Sequence, residues 1–152
     1  MSDKKVSVIM SAYNAEKSIE KTISSLLMQT YKNLEIIIAD DGSTDRTYEL
    51  LENFSQNNKN ISLIKNSENL GLTKSLNILL GLAKGYYIAR QDADDYSDAN
   101  RISNQVRFIT EHKLDAVTCR AQVINENRTI PSFSYYLPKK ILINYKNPYI
   151  HG

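Results

Sequence analysis

The segment Ile88-Ala89-Arg90-Gln91-Asp92-Ala93-Asp94-Asp95-Tyr96 puts three carboxylates into four positions directly after a short apolar run. Clustered carboxylates repel one another and cost free energy unless a cation or a proton compensates. Hard divalent ions such as Mg²⁺ or Mn²⁺ take oxygen ligands of this kind, keep some waters and complete their coordination with phosphate. A metal bridged to phosphate is therefore the economical reading, set against an acidic surface turn with no ligand. If the segment stays extended, Asp92 and Asp94 point the same way and Asp95 points elsewhere. Two further polar clusters stand beside it, Ser11-Ala12-Tyr13-Asn14 and Asp40-Asp41-Gly42-Ser43-Thr44. Taken alone, the second is an ordinary turn, with Ser43 or Thr44 capping the next helix and Asp45 or Glu49 near its positive end.

The elements around these clusters give them a common location. Val6 to Met10 and Leu34 to Ala39 are apolar runs ending in turn residues, which reads as two buried strands. Ile19, Ile23, Leu26 and Leu27 recur at helical spacing between them, as do Tyr48, Leu51 and Phe54 after the second. Ile61 to Ile64 is a third strand, Leu72, Leu76, Leu79 and Ala83 mark a third helix, and Tyr86 to Ala89 is a fourth strand. A helix carrying Ile102, Val106 and Ile109 follows. Such alternation predicts an α/β fold with a largely parallel sheet covered on both faces. Ligands of open sheets sit outside the carboxyl ends of the strands, where all three polar clusters fall.

Composition and missing motifs narrow the chemistry. The chain has 152 residues, 41% of them hydrophobic, enough for one domain with a core. Nineteen basic against 17 acidic residues argue against a dedicated nucleic-acid binder. Cys119 is the single cysteine, so no internal disulfide forms, which fits a reducing compartment. No signal peptide and no apolar run of about 18 residues is encoded, so the cytoplasm is the simplest location. No GxxxxGK[ST], GxGxxG after the first strand, HExxH or GxSxG occurs, and only His112 and His151 exist. His112 is expected near a helix end, where histidine suits the negative pole. Tyr86 and Tyr87 read as strand packing rather than stacking platforms.

These segments, in this order, resemble the nucleotide-sugar-binding part of a family 2 glycosyltransferase. The resemblance runs through VSVIMSAYN at 6–14, LLMQTYKNLEIIIADDGSTD at 26–45, NSENLGLTKSLNILLGLAKGYYIARQDADD at 66–95 and RISNQVRFI at 101–109. It implies a GT-A fold, Rossmann-like, truncated at residue 152 before the acceptor half. It also implies transfer of a sugar, with inversion, from a nucleotide diphosphate-sugar donor to a saccharide or lipid-linked acceptor, a UDP-linked donor being the first expectation.

By the same resemblance, Ser11 and Tyr13 match the loop that contacts the nucleobase. Asp41 matches the carboxylate that accepts from the base, with Asp40 as its companion. Lys74 is a looser match to a basic residue facing the nucleotide. Asp92-Ala93-Asp94 resembles the DxD motif, in which Asp92 reaches the ribose and Asp94 ligates Mn²⁺ or Mg²⁺ on the diphosphate, with Asp95 in support. Arg90 either pairs with these carboxylates or approaches the diphosphate. No residue matches the family's catalytic base, which is expected beyond Gly152.

Two other readings stand beside this one. A nucleotidyltransferase-like enzyme would need a basic, glycine-rich first loop, which SAYNAEKS does not supply. A non-catalytic binding module would use the tail, where Lys139, Lys140 and Lys146 alternate with Tyr135, Tyr136, Tyr145 and Tyr149. That tail would also suit peripheral contact with an anionic membrane at its inner face.

Overall fold

In the computed structural model, the described residues are 4–119, 121–123 and 128–130. The chain divides into two units, residues 3–102 and residues 103–152 together with the first two. In the first unit the apolar runs form β1 (Val6–Ala12) and β2 (Leu34–Asp40), which pair in parallel from Val6↔Leu34 to Ala12↔Asp40. Strand β3 (Ile61–Lys65) pairs with β2, and β4 (Tyr87–Arg90) with β1, giving the parallel order β3-β2-β1-β4.

The helices fall where this order requires. Helices α1 (Ile19–Leu27) and α2 (Thr47–Asn57) carry the chain from β1 to β2 to β3 in one direction across the sheet. Helix α3 (Leu72–Leu82) carries it back past β1 to β4. Right-handed crossovers in opposite directions place α3 on the opposite face from α1 and α2. Ile9, Ile37 and Ala39 accordingly form one core layer with Leu76 and Leu79 of α3. Ile19, Ile23 and Leu26 of α1 and Leu51 of α2 are fully buried at helical spacing. Truncating one of them to Ala would cost roughly 2–5 kcal/mol, through lost transfer energy and the cavity left behind.

Three local features depart from the sequence reading. The edge strand β4 is not a buried run: Ile88 is 44% exposed, and Tyr86, just before the strand, is 67% exposed with the Lys4 ammonium 3.4 Å from its ring centroid. An edge strand has a neighbour on one side only, so hydrophobicity alone overstates its burial. Ser43 and Thr44 do not cap α2, which begins at Thr47. Its leading N–H groups are taken by other oxygens: Thr47 N donates to Asp45 Oδ1 at 2.9 Å and Arg46 N to Glu16 Oε2 at 3.2 Å. The acidic segment after β4 is not extended but folds into a turn closed by Asp95 N donating to Asp92 O at 3.2 Å.

The last helix of the first sequence pattern, α4 (Arg101–Glu111), runs across the boundary between the units. Near its end the His112 and Phe108 rings meet in a tilted contact with centroids 4.3 Å apart, and His112 N donates to Phe108 O. The second unit also holds an antiparallel pair, β5 (Ala121–Val123) and β6 (Arg128–Ile130). Among the described residues no helix is long and apolar enough to cross a membrane. The lysine- and tyrosine-bearing tail lies outside the described residues.

Candidate functional site

In the order β3-β2-β1-β4 the chain's direction across the sheet reverses between β1 and β4. Loops leaving the carboxyl ends of two such strands diverge to opposite faces and leave a crevice between them. An open cavity of about 350 Å³ lies there. Ser11, Tyr13, Asn14, Ala15 and Ser18 line it from the β1 side, and Arg90, Asp92, Ala93 and Asp94 from the β4 side, with Leu72 of α3 completing the wall. Five residues expected from the sequence thus share one cavity: Ser11, Tyr13, Arg90, Asp92 and Asp94. Lys74 lies on the exposed face of α3, while Asp40, Asp41 and Asp95 are outside the lining.

Tyr13 is half exposed at the mouth, held there by its neighbour. Asn14 takes a positive φ of 48°, a conformation asparagine tolerates better than most residues. Its Oδ1 accepts from Thr44 N at 2.9 Å, and its own N–H donates to Ser43 Oγ at 3.0 Å. Ala15 N donates to Thr47 Oγ1 at 2.7 Å and Glu16 N to Asp45 Oδ2 at 3.2 Å. The loops after β1 and β2 are therefore joined residue by residue, and the Asp45 carboxylate is held below its usual range. Burial would raise it, but the Thr47 hydroxyl and the amides of Thr47 and Glu16 outweigh that effect.

Beneath the rim, Asp41 is 2% exposed and collects four donors. Asn66 Nδ2 (2.8 Å), Ser75 Oγ (2.7 Å) and Leu70 N (3.0 Å) donate to Oδ1, and Gly71 N (3.0 Å) donates to Oδ2. Burial would raise this carboxyl; the four hydrogen bonds together hold it below the ordinary carboxylate range. They also tie the β3–α3 loop to the end of β2. Gly42 makes the approach possible, since a Cβ there would lie 2.6 Å from the Glu68 carbonyl carbon and its φ is +75°. Asp40 is fully buried with one weak partner, Ser43 N at 3.4 Å to Oδ2, and its Oδ1 has no partner.

The acidic turn is supported from below through its carbonyls. Gln91, 4% exposed, donates from Nε2 to Asp92 O (3.1 Å) and Asp95 O (3.0 Å), while its Oε1 accepts from Ser97 Oγ at 2.7 Å. Ser18 Oγ and Thr22 Oγ1 donate to Ala93 O at 3.0 and 2.9 Å. With the carbonyls drawn inward, Asp94 and Asp95 are exposed and Asp92 pairs with Arg90 at 2.7 Å. Partial burial, followed by repulsion from Asp92 and Asp94, raises the Asp95 carboxyl; Arg101 and Arg90 offset part of this. The repulsion that the two arginines leave is what a divalent cation would remove. Among the described residues no three acids, histidines or cysteines form a metal cage by themselves. A cation here would take one or two carboxylates and draw its other ligands from phosphate and water, a donor set suited to Mg²⁺ or Mn²⁺.

The sequence reading missed Asn14, Ser18, Leu72, Thr22 and Gln91. Asn14 carried a signal in its tolerance of the left-handed region. Ser18 and Thr22 are set by contacts with Ala93, more than 70 residues away in sequence, which local pattern does not carry.

The sequence model described as "Glycosyl transferase family 2" matches residues 7–151. An uncharacterized glycosyltransferase of Haemophilus influenzae is 43% identical over 148 residues, 97% of this chain and 45% of that protein. The Escherichia coli UDP-Glc:alpha-D-GlcNAc-diphosphoundecaprenol beta-1,3-glucosyltransferase WfaP is 44% identical over 109 residues, 72% of this chain and 43% of that protein. Among solved structures, the Pyrobaculum calidifontis mannosyltransferase PcManGT in complex with GDP-Man and Mn²⁺ superposes with a TM-score of 0.73 at 25% identity, covering 81% of this chain and 37% of that one. The chain spans about half the length of the curated relatives it matches.

Proposed function

The chain belongs to glycosyl transferase family 2 as a nucleotide-sugar-binding region with a GT-A-like fold, and from that premise we propose that it holds the donor in a sugar transfer from a nucleotide diphosphate-sugar. The single observation that carries the reading is the meeting of Tyr13, Arg90, Asp92 and Asp94 in one cavity at the point where the strand order reverses. Tyr13 and Ser11 would receive the nucleobase, above the Asp40–Asp41 end of β2. Asp92 would meet the ribose, Arg90 the diphosphate, and Lys74 would add positive charge from α3. Asp94, supported by Asp95, would hold Mn²⁺ or Mg²⁺.

Breaking the bond to the sugar develops negative charge on the nucleoside diphosphate. A bound divalent cation supplies Lewis-acid stabilisation of that charge. The chain's own part is electrostatic and geometric: Arg90 neutralises phosphate charge, Tyr13 fixes the base, and the carboxylates orient the donor in advance. None of the described residues is assigned as the base that activates the acceptor. A uridine donor and a saccharide or lipid-linked acceptor are supported by the activity named for the E. coli relative, and Mn²⁺ by the contents of the mannosyltransferase structure. Inversion at the anomeric carbon and action at the cytoplasmic side of a membrane belong to the same proposal.

Calorimetry with UDP, GDP, CDP and dTDP, each with Mn²⁺ and with chelator, tests it. UDP should bind best and should bind more tightly with Mn²⁺. No binding by any of the four would remove the donor-site reading, and a preference for GDP would move the base assignment alone.

A further inference from the structure

The acidic turn hangs from helix α1 at one carbonyl. Ala93 O lies between the two aspartates, at the centre of the turn, and accepts from Thr22 Oγ1 at 2.9 Å and from Ser18 Oγ at 3.0 Å. Each hydroxyl has a helix-local alternative, Ser18 O for Thr22 and Ala15 O for Ser18, and both alternatives are longer at 3.3 Å. A hydroxyl has a single proton, and here the shorter contact in each case reaches across more than 70 residues of sequence. Thr22 is 2% exposed and does not itself line the cavity, so its hydroxyl meets the turn from within the protein. Ser18 is the N-cap residue at the start of α1 and Thr22 lies four residues further on, one turn along, which brings both hydroxyls to one acceptor.

We infer that Thr22, seconded by Ser18, is a positioning residue that fixes the Ala93–Asp94 peptide and thereby the direction of the Asp94 carboxylate. This rests on the reading of the acidic turn as the metal and diphosphate platform. Ser18 follows the Tyr13–Asn14 loop by one turn of chain, so the same helix start sets both the base side and the phosphate side of the cavity. Groups that orient metal-binding residues from behind typically govern metal affinity by about 10- to 100-fold. Valine at position 22 keeps the shape of threonine and removes the donor; serine keeps the donor.

The test uses the 152-residue chain and Mn²⁺ titrated, by its electron paramagnetic resonance signal, in the presence of UDP. Thr22→Val should weaken Mn²⁺ binding by about tenfold, while Thr22→Ser should stay within about twofold of wild type. Uridine binding in chelator should be the same in all three. The double variant Ser18→Ala with Thr22→Val, checked for folding by near-ultraviolet circular dichroism, should lose more than either single change. Folded Thr22→Val and double variants that bind Mn²⁺ as wild type does would overturn the inference. A wild-type chain whose UDP binding does not respond to Mn²⁺ would instead remove the platform reading on which it rests, and that result is seen before any variant is made.

Discussion

Arg90 and Asp92 face each other across one strand end, with guanidinium Nη2 2.7 Å from carboxylate Oδ1, and both side chains line the cavity. The pair is more than a third exposed on each side, so its worth to the fold is at most about 1 kcal/mol. Its charge is therefore available to a ligand at little structural cost. Arg90→Gln should leave the urea unfolding midpoint nearly unchanged and weaken UDP about tenfold, the loss expected from one hydrogen bond to a charged group. Uridine, which lacks phosphate, should bind as before. Equal losses for UDP and uridine would show that Arg90 does not face the diphosphate.

Asp41→Asn tests the loop anchor beneath the base side. Its carboxylate accepts from four donors, two of them backbone N–H groups, and an amide in its place turns an NH₂ group toward some of them. Buried polar groups left without partners cost about 1–3 kcal/mol each, so the variant should lose about 2–4 kcal/mol in urea denaturation. A loss below about 0.5 kcal/mol would contradict the anchor role.

Much of this site could be read from sequence, for a specific reason. Parallel strands are short apolar runs, buried in β1 and β2 and half-covered at the edge in β4, so their ends show as the points where VIM, IIIA and YIAR give way to SAYN, DDGS and QDADD. Topology then brings those ends to one rim. The shape of each loop was not legible, because its partners lie far along the chain: Asn14 with Thr44, Asp41 with Asn66 and Gly71, Thr22 with Ala93. Helix α2 illustrates the consequence. Local propensity favours Ser43 or Thr44 as its cap, whereas Glu16 from another loop holds the Arg46 N–H.

A pH dependence should arise at the other end of the sheet, away from the cavity. Glu35 accepts from Lys84 N (2.7 Å) and Ser7 Oγ (2.5 Å) and pairs with Lys5 at 2.7 Å. Burial would raise its carboxyl, but the hydrogen bonds from Lys5, Ser7 and Lys84 and the Lys5 charge bring it from 4.5 down to about 2. A depressed carboxyl contributes stability that is fully present above its unfolded value and is lost as pH falls through the folded one. Unfolding free energy should therefore drop between about pH 5 and pH 2, with Glu35 accounting for about 3 kcal/mol of it. Glu35→Gln should flatten that part of the profile, and an unchanged profile would show that other carboxylates govern acid unfolding.

The donor-site assignment is tested most directly by diffraction from crystals of the chain grown with UDP and Mn²⁺, read at the manganese absorption edge. The expected result is an anomalous peak at ligating distance from the Asp94 carboxylate and from the UDP phosphates, with the uracil against Tyr13. A manganese peak away from the acidic turn, or UDP bound outside the cavity between β1 and β4, would contradict it.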